Sequence, residues 1–146
     1  MTVGAASGLN IILKTILNPG DEVITFAPYF VEYGSYVRNY DGVLVVVSPD
    51  TETFQPNLDE FAQKITPRTK GVIINSPNNP SGVVYSRETL GRLAAILTEK
   101  SRAYGHPIYL ISDEPYREIV ERMRGAVVSA LDLAEGHEAL LVSHQL

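Results

Sequence analysis

Apolar positions along the chain follow two alternating rhythms. From Leu9 to Leu17 ("LNIILKTIL"), Leu9 and Leu13, and Ile12 and Ile16, recur at helical spacing. The proline and glycine of "NPGDE" (Asn18 to Glu22) stop that helix. "EVITF" (Glu22 to Phe26) is a short apolar run, as are "KGVIIN" (Lys70 to Asn75) and "PIYLI" (Pro107 to Ile111). "GVLVVV" (Gly42 to Val47) is almost continuously β-branched, the pattern of a strand covered on both faces. "EALLV" (Glu138 to Val142) is a weaker last strand. Between the strands lie helical stretches. Tyr29 to Tyr40 is rich in tyrosine, and Asn57 to Ile65 opens with a cap-like Asn57 and Glu60 at capping-box spacing. Ser86 to Tyr104 carries Leu90, Leu93, Ala94 and Leu97 on one stripe.

Strands alternating with helices of this length predict an α/β fold, three-layer α/β/α with a mostly parallel sheet. The 146 residues suit one domain with a sizeable core. Ligands of such sheets bind outside the carboxyl ends of the strands. The polar segments to inspect are therefore "APYF", "NSPNNPSG" and "SDEPY", each following a strand.

Composition narrows the partners. Twelve basic and 17 acidic residues give a net charge of -5 with no basic run, which disfavours nucleic acid and anionic membranes as partners. The absence of cysteine removes disulfides, thiolate zinc sites and cysteine nucleophiles, and fits a cytoplasmic location. No apolar run reaches the roughly 18 residues of a membrane span, and no secretory signal pattern opens the chain. His106, His137 and His144 have no metal-ligand spacing.

Four segments carry candidate chemistry, and each also has a purely structural account. "TVGAASG" (Thr2 to Gly8) places small residues before a helix, where backbone N–H groups suit an anion, but it is also an ordinary close-packed helix start. It matches neither a P-loop nor G-x-G-x-x-G. "APYFVEY" (Ala27 to Tyr33) offers an aromatic face for a flat heterocycle, or simply core. In "NSPNNPSG" (Asn75 to Gly82), turn formers surround Asn79, whose amide is placed to bond a ligand hydroxyl. In "SDEPYRE" (Ser112 to Glu118), Pro115 and the acids before it suit a helix start, from which Asp113 and Tyr116, three apart, both face one point.

Taken in order, "TVGAASGLN", "NPGDEVITFAPYFVEY", "INSPNNPSGVVYS" and "ISDEPYREIV" resemble the class I/II aminotransferases, pyridoxal-phosphate enzymes of the aspartate aminotransferase fold type. The likeness runs from Thr2 to about Val120. It implies that Gly4, Ala5 and Ala6 hold the cofactor phosphate, mainly through the Ala5 and Ala6 amides, and that Phe30 stacks on the pyridine ring. It further implies that Asn79 and Tyr116 bond the ring's 3-oxygen and that Asp113 pairs with the ring nitrogen, keeping it protonated as an electron sink. The bonds before Pro28 and Pro80 are expected to be cis.

The resemblance also implies a lysine, in a Ser-x-Ser-Lys-like segment after the next strand, that binds the cofactor covalently. Lys14, Lys64, Lys70 and Lys100 fall elsewhere, so residues 1–146 are expected to be part of a large domain. The N-terminal arm, the lysine segment and the C-terminal small domain are then expected to lie outside this chain, which is expected to be inactive alone. The complete enzyme would transfer an amino group between an amino acid and a 2-keto acid, as a homodimer. A non-catalytic domain that binds pyridoxal phosphate to regulate, a lyase or synthase of the same fold, and an unrelated doubly wound nucleotide-binding domain, against which the missing G-x-G-x-x-G and G-K-S/T patterns speak, are the alternatives.

Overall fold

The computed structural model describes residues 4–116 and the backbone of residues 139–142. In chain order the elements are α1 (Gly4–Ile16), β1 (Glu22–Phe26), α2 (Tyr33–Arg38), β2 (Val43–Val47), α3 (Leu58–Lys64), β3 (Thr69–Asn75), α4 (Arg87–Tyr104), β4 (Tyr109–Asp113) and β5 (Ala139–Val142). The five strands form one sheet in the order β2-β1-β3-β4-β5, and each adjacent pair is parallel. The chain thus steps outward from β1 to β2, then returns past β1 to build the other half. That reversal lies between β1 and β3, where open α/β sheets leave a crevice at the strands' carboxyl ends.

Side-chain alternation along the strands divides the core into two layers. Val23, Ile73 and Ile111 pack with Leu9 and Leu13 of α1 and with Tyr33 and Val37 of α2. Their neighbours Ile24, Val72, Ile74 and Leu110 point the other way, against Leu58 and Phe61 of α3 and Leu90, Leu93 and Leu97 of α4. Both faces of the sheet are therefore covered, and the three-layer α/β/α expectation holds.

The elements depart from the sequence pattern in four places. α1 begins at Gly4, five residues before the apolar rhythm, because its small first-turn residues carry no hydrophobic signal. α2 covers only Tyr33–Arg38; the residues before it form a turn closed by Tyr33 N–H to the Phe30 carbonyl at 3.1 Å. β2 is an edge strand with Val43 49% exposed and the next three residues half-buried; its two faces are covered, by the α1–α2 layer at Leu44 and by the α3–α4 layer at Val45 and Val47, but less completely than the run suggests. β4 runs to Asp113, which ends a strand rather than capping a helix. Pro115 and Tyr116 form a turn, and the helix expected after them lies outside the described residues. Among the described residues, no helix is long and apolar enough to cross a membrane.

Candidate functional site

The carboxyl ends of β1, β3 and β4 and the first turn of α1 meet around a cavity of about 160 Å3. α1 contributes Ala5 and Ala6, the turn after β1 contributes Phe30, and the loop after β3 contributes Asn79. Asp113 and Tyr116 come from the end of β4 and the turn beyond it. Six of the seven residues singled out from the sequence are thus brought together. Gly4 is the exception: it heads α1 with φ +82° but is not among the residues lining the cavity. The first turn of α1 contains no acidic residue, so the positive end of its helix dipole favours a negative group at this end.

Asp113 is 6% exposed, and Tyr33, fully buried in α2, donates its hydroxyl to Asp113 Oδ2 at 2.5 Å. Burial, followed by the negative charge of Asp113 and this hydrogen bond, pushes the Tyr33 phenol well above its usual range. The Tyr33 ring also meets Phe30 edge-on, with centroids 5.7 Å apart and planes at 80°. At the mouth, Asn79 Nδ2 lies 3.4 Å from the Tyr116 hydroxyl, so an amide and a phenol point toward one locus.

Two buried asparagines that sequence reasoning did not single out tie these loops together. Asn75 ends β3 directly opposite Asp113 in the sheet register. Its Nδ2 donates to the Asp113 carbonyl at 2.8 Å, and its Oδ1 accepts the Asn79 N–H at 2.5 Å. Asn78 donates from Nδ2 to the Pro28 carbonyl at 3.0 Å, and its Oδ1 accepts from the N–H and hydroxyl of Ser81. The Phe30 turn, the Asn79 loop and the end of β4 are therefore one hydrogen-bonded unit. The bonds before Pro28 and Pro80 are cis, as expected, and so is Ser76–Pro77. The signal for Asn75 was a polar residue closing an apolar strand. For Tyr33 it was a hydroxyl on the apolar stripe shared with Val37, since a buried phenol needs a partner.

Among the described residues, Tyr36, Leu9, Asn75 and Pro115 complete the lining, and no lysine is part of it. Lys64 instead donates to the Val46 carbonyl at 2.5 Å and pairs with Glu60. His106 sits at the opposite end of the sheet, with Nε2 2.9 Å from the Pro67 carbonyl. His137 and His144 lie outside the described residues. No cluster of histidine and carboxylate groups able to hold a metal occurs among the described residues. The lining as a whole suits a flat heteroaromatic ligand: an aromatic face, a buried carboxylate, an amide beside a phenol, and a helix N-terminus for an anion.

The family model for aminotransferase class I and II matches residues 1–144. The aspartate/prephenate aminotransferase of Thermus thermophilus is 43% identical over 121 residues, covering 82% of this chain and 30% of that protein. The aspartate aminotransferase of Thermotoga maritima is 37% identical over 142 residues, covering 97% and 36%. Among solved structures, an amino transferase from Eubacterium rectale superposes with a TM-score of 0.87 at 44% identity, covering 96% of this chain and 35% of that one. Aspartate aminotransferase from Thermus thermophilus with maleate gives 0.85 at 39% identity, covering 97% and 35%. The chain spans about a third of the length of these relatives. With the sheet order, the paired core layers and the match over nearly every residue, this chain belongs to the class I and II aminotransferases, a family of pyridoxal-phosphate enzymes.

Proposed function

We propose that this chain is part of the large domain of an aminotransferase and supplies half of its pyridoxal-phosphate site. In the complete enzyme that site moves an amino group between an amino acid and a 2-keto acid. The observation that carries the reading is the convergence of Ala5, Ala6, Phe30, Asn79, Asp113 and Tyr116 on one cavity from four separate segments. When bound, pyridoxal phosphate supplies an aldehyde that takes the amino group and a ring that draws electrons from the bond broken at the α-carbon.

The residues of this chain have separable tasks. The amides of Ala5 and Ala6, headed by Gly4, bind the phosphate at the α1 N-terminus. Phe30 supports one face of the ring and excludes water from it. Asp113 holds a proton on the ring nitrogen, because a buried anion beside a basic nitrogen favours its charged form. Asn79 and Tyr116 donate to the 3-oxygen. Covalent attachment and proton transfer at the α-carbon belong to a lysine that none of the cavity-lining positions provides. The names of the relatives favour aspartate as amino donor. The reading extends to a homodimer in the complete enzyme and to a cytoplasmic location.

Titration of the purified chain with pyridoxal phosphate, followed by absorbance and tyrosine fluorescence, tests the assignment. Wild type is expected to bind it and not NAD, and Asp113→Ala to bind roughly tenfold or more weakly, the cost of losing a charge-assisted hydrogen bond. Equal binding by the variant, or NAD binding alone, overturns the reading.

A further inference from the structure

We propose that Tyr33 is a positioning residue of this site, fixing the Asp113 carboxylate and the Phe30 ring relative to each other. The inference rests on the reading of the cavity as a pyridoxal-phosphate site. A carboxylate on a two-carbon side chain rotates easily, because its terminal torsion is broad. One directional O–H···O bond to Oδ2 sets its plane, and here that bond is 2.5 Å long and buried. The donor is itself anchored: Tyr33 opens α2 and is fully buried in the layer formed by Leu9, Leu13, Val23, Val37, Ile73 and Ile111. Its ring meets Phe30 in an edge-to-face contact, and among the described residues Phe30 shares the lining with two other aromatic side chains, Tyr36 and Tyr116. A single side chain therefore touches both the group assigned to the ring nitrogen and the group assigned to the ring face. Burial and the neighbouring carboxylate keep the phenol protonated, so it remains a donor at any working pH.

The test separates positioning through Asp113 from mere packing. Wild type, Tyr33→Phe and Tyr33→His are titrated with pyridoxal phosphate and with the analogue in which carbon replaces the ring nitrogen. Folding of each variant is checked by near-UV circular dichroism. Tyr33→Phe keeps the ring on Phe30 but loses the hydroxyl. It is expected to weaken pyridoxal phosphate about tenfold while changing the analogue by less than about twofold, since the analogue gains nothing from Asp113. Tyr33→His, which offers a ring N–H, is expected to regain part of the preference for the nitrogen ring. Equal losses with both ligands, or no loss with either, overturn the positioning role and leave the cofactor reading intact. A folded Tyr33→His without any recovery counts against it as well. Failure of wild type to bind either ligand overturns the cofactor reading and this inference together.

Discussion

Asn75 does for the backbone of the site what Tyr33 does for its side chains. Its amide spans two segments that share no secondary structure, the last residue of β4 and the loop holding Asn79. Asn75→Ala leaves the buried Asp113 carbonyl and the part-buried Asn79 N–H without this partner, a loss of about 2–6 kcal/mol at roughly 1–3 kcal/mol each. Urea denaturation is expected to show it as a lower midpoint with an unchanged slope. The residues that face the cavity were legible because they lie in the four segments that carry the family resemblance, not because local pattern alone marked them. The residues behind them were not, since Tyr33 meets Asp113 across 80 positions and Asn75 meets it across 38. Sequence spacing shows which polar groups end a strand, but not which of them turn inward.

The elements that carry their own start and stop chemistry were read to within a residue. α3 has Asn57 accepting the Glu60 N–H at 3.1 Å, and α4 has Ser86 accepting the Thr89 N–H at 3.0 Å. α4 ends at Gly105 with φ +70°, a left-handed cap that glycine adopts without strain. Ser86→Ala is expected to cost about 1 kcal/mol, the usual worth of such a cap, and to lower the thermal midpoint measured by circular dichroism. α1 and α2 lack these marks. Small residues hide the first turn of α1, and four residues of turn precede α2 where aromatic periodicity suggested helix. The sheet edge was illegible for a different reason: strand order is set by long-range pairing, and among the described residues β2 has one hydrogen-bonded neighbour rather than two.

Across the molecule, buried phenols set how stability responds to alkali. Burial raises Tyr33 and Tyr85, with Asp113 adding to the effect at Tyr33; burial and a hydrogen bond to Glu32 push Tyr36 up to about 12. From the ordinary value near 10 upward, the unfolded chain releases phenol protons that the folded chain retains. The unfolded state then binds fewer protons, so these groups contribute stability that is present below pH 10 and lost as pH rises above it. Urea denaturation across that range is expected to show a falling free energy of unfolding, and a Tyr33→Phe, Tyr36→Phe double variant to fall less steeply.

The parallel sheet has a further consequence. Every loop that builds the cavity follows a strand, while the loops that precede strands are knitted together at the other end. There the Gly20 N–H meets the Asp41 carbonyl, the Tyr104 hydroxyl meets the Ile65 carbonyl, and His106 reaches Pro67. One end of the molecule is a workbench and the other a handle. Grafted labels, immobilising tags and changes of loop length at the handle can ride along as passengers, and evolutionary drift there can proceed without renegotiating the chemistry opposite.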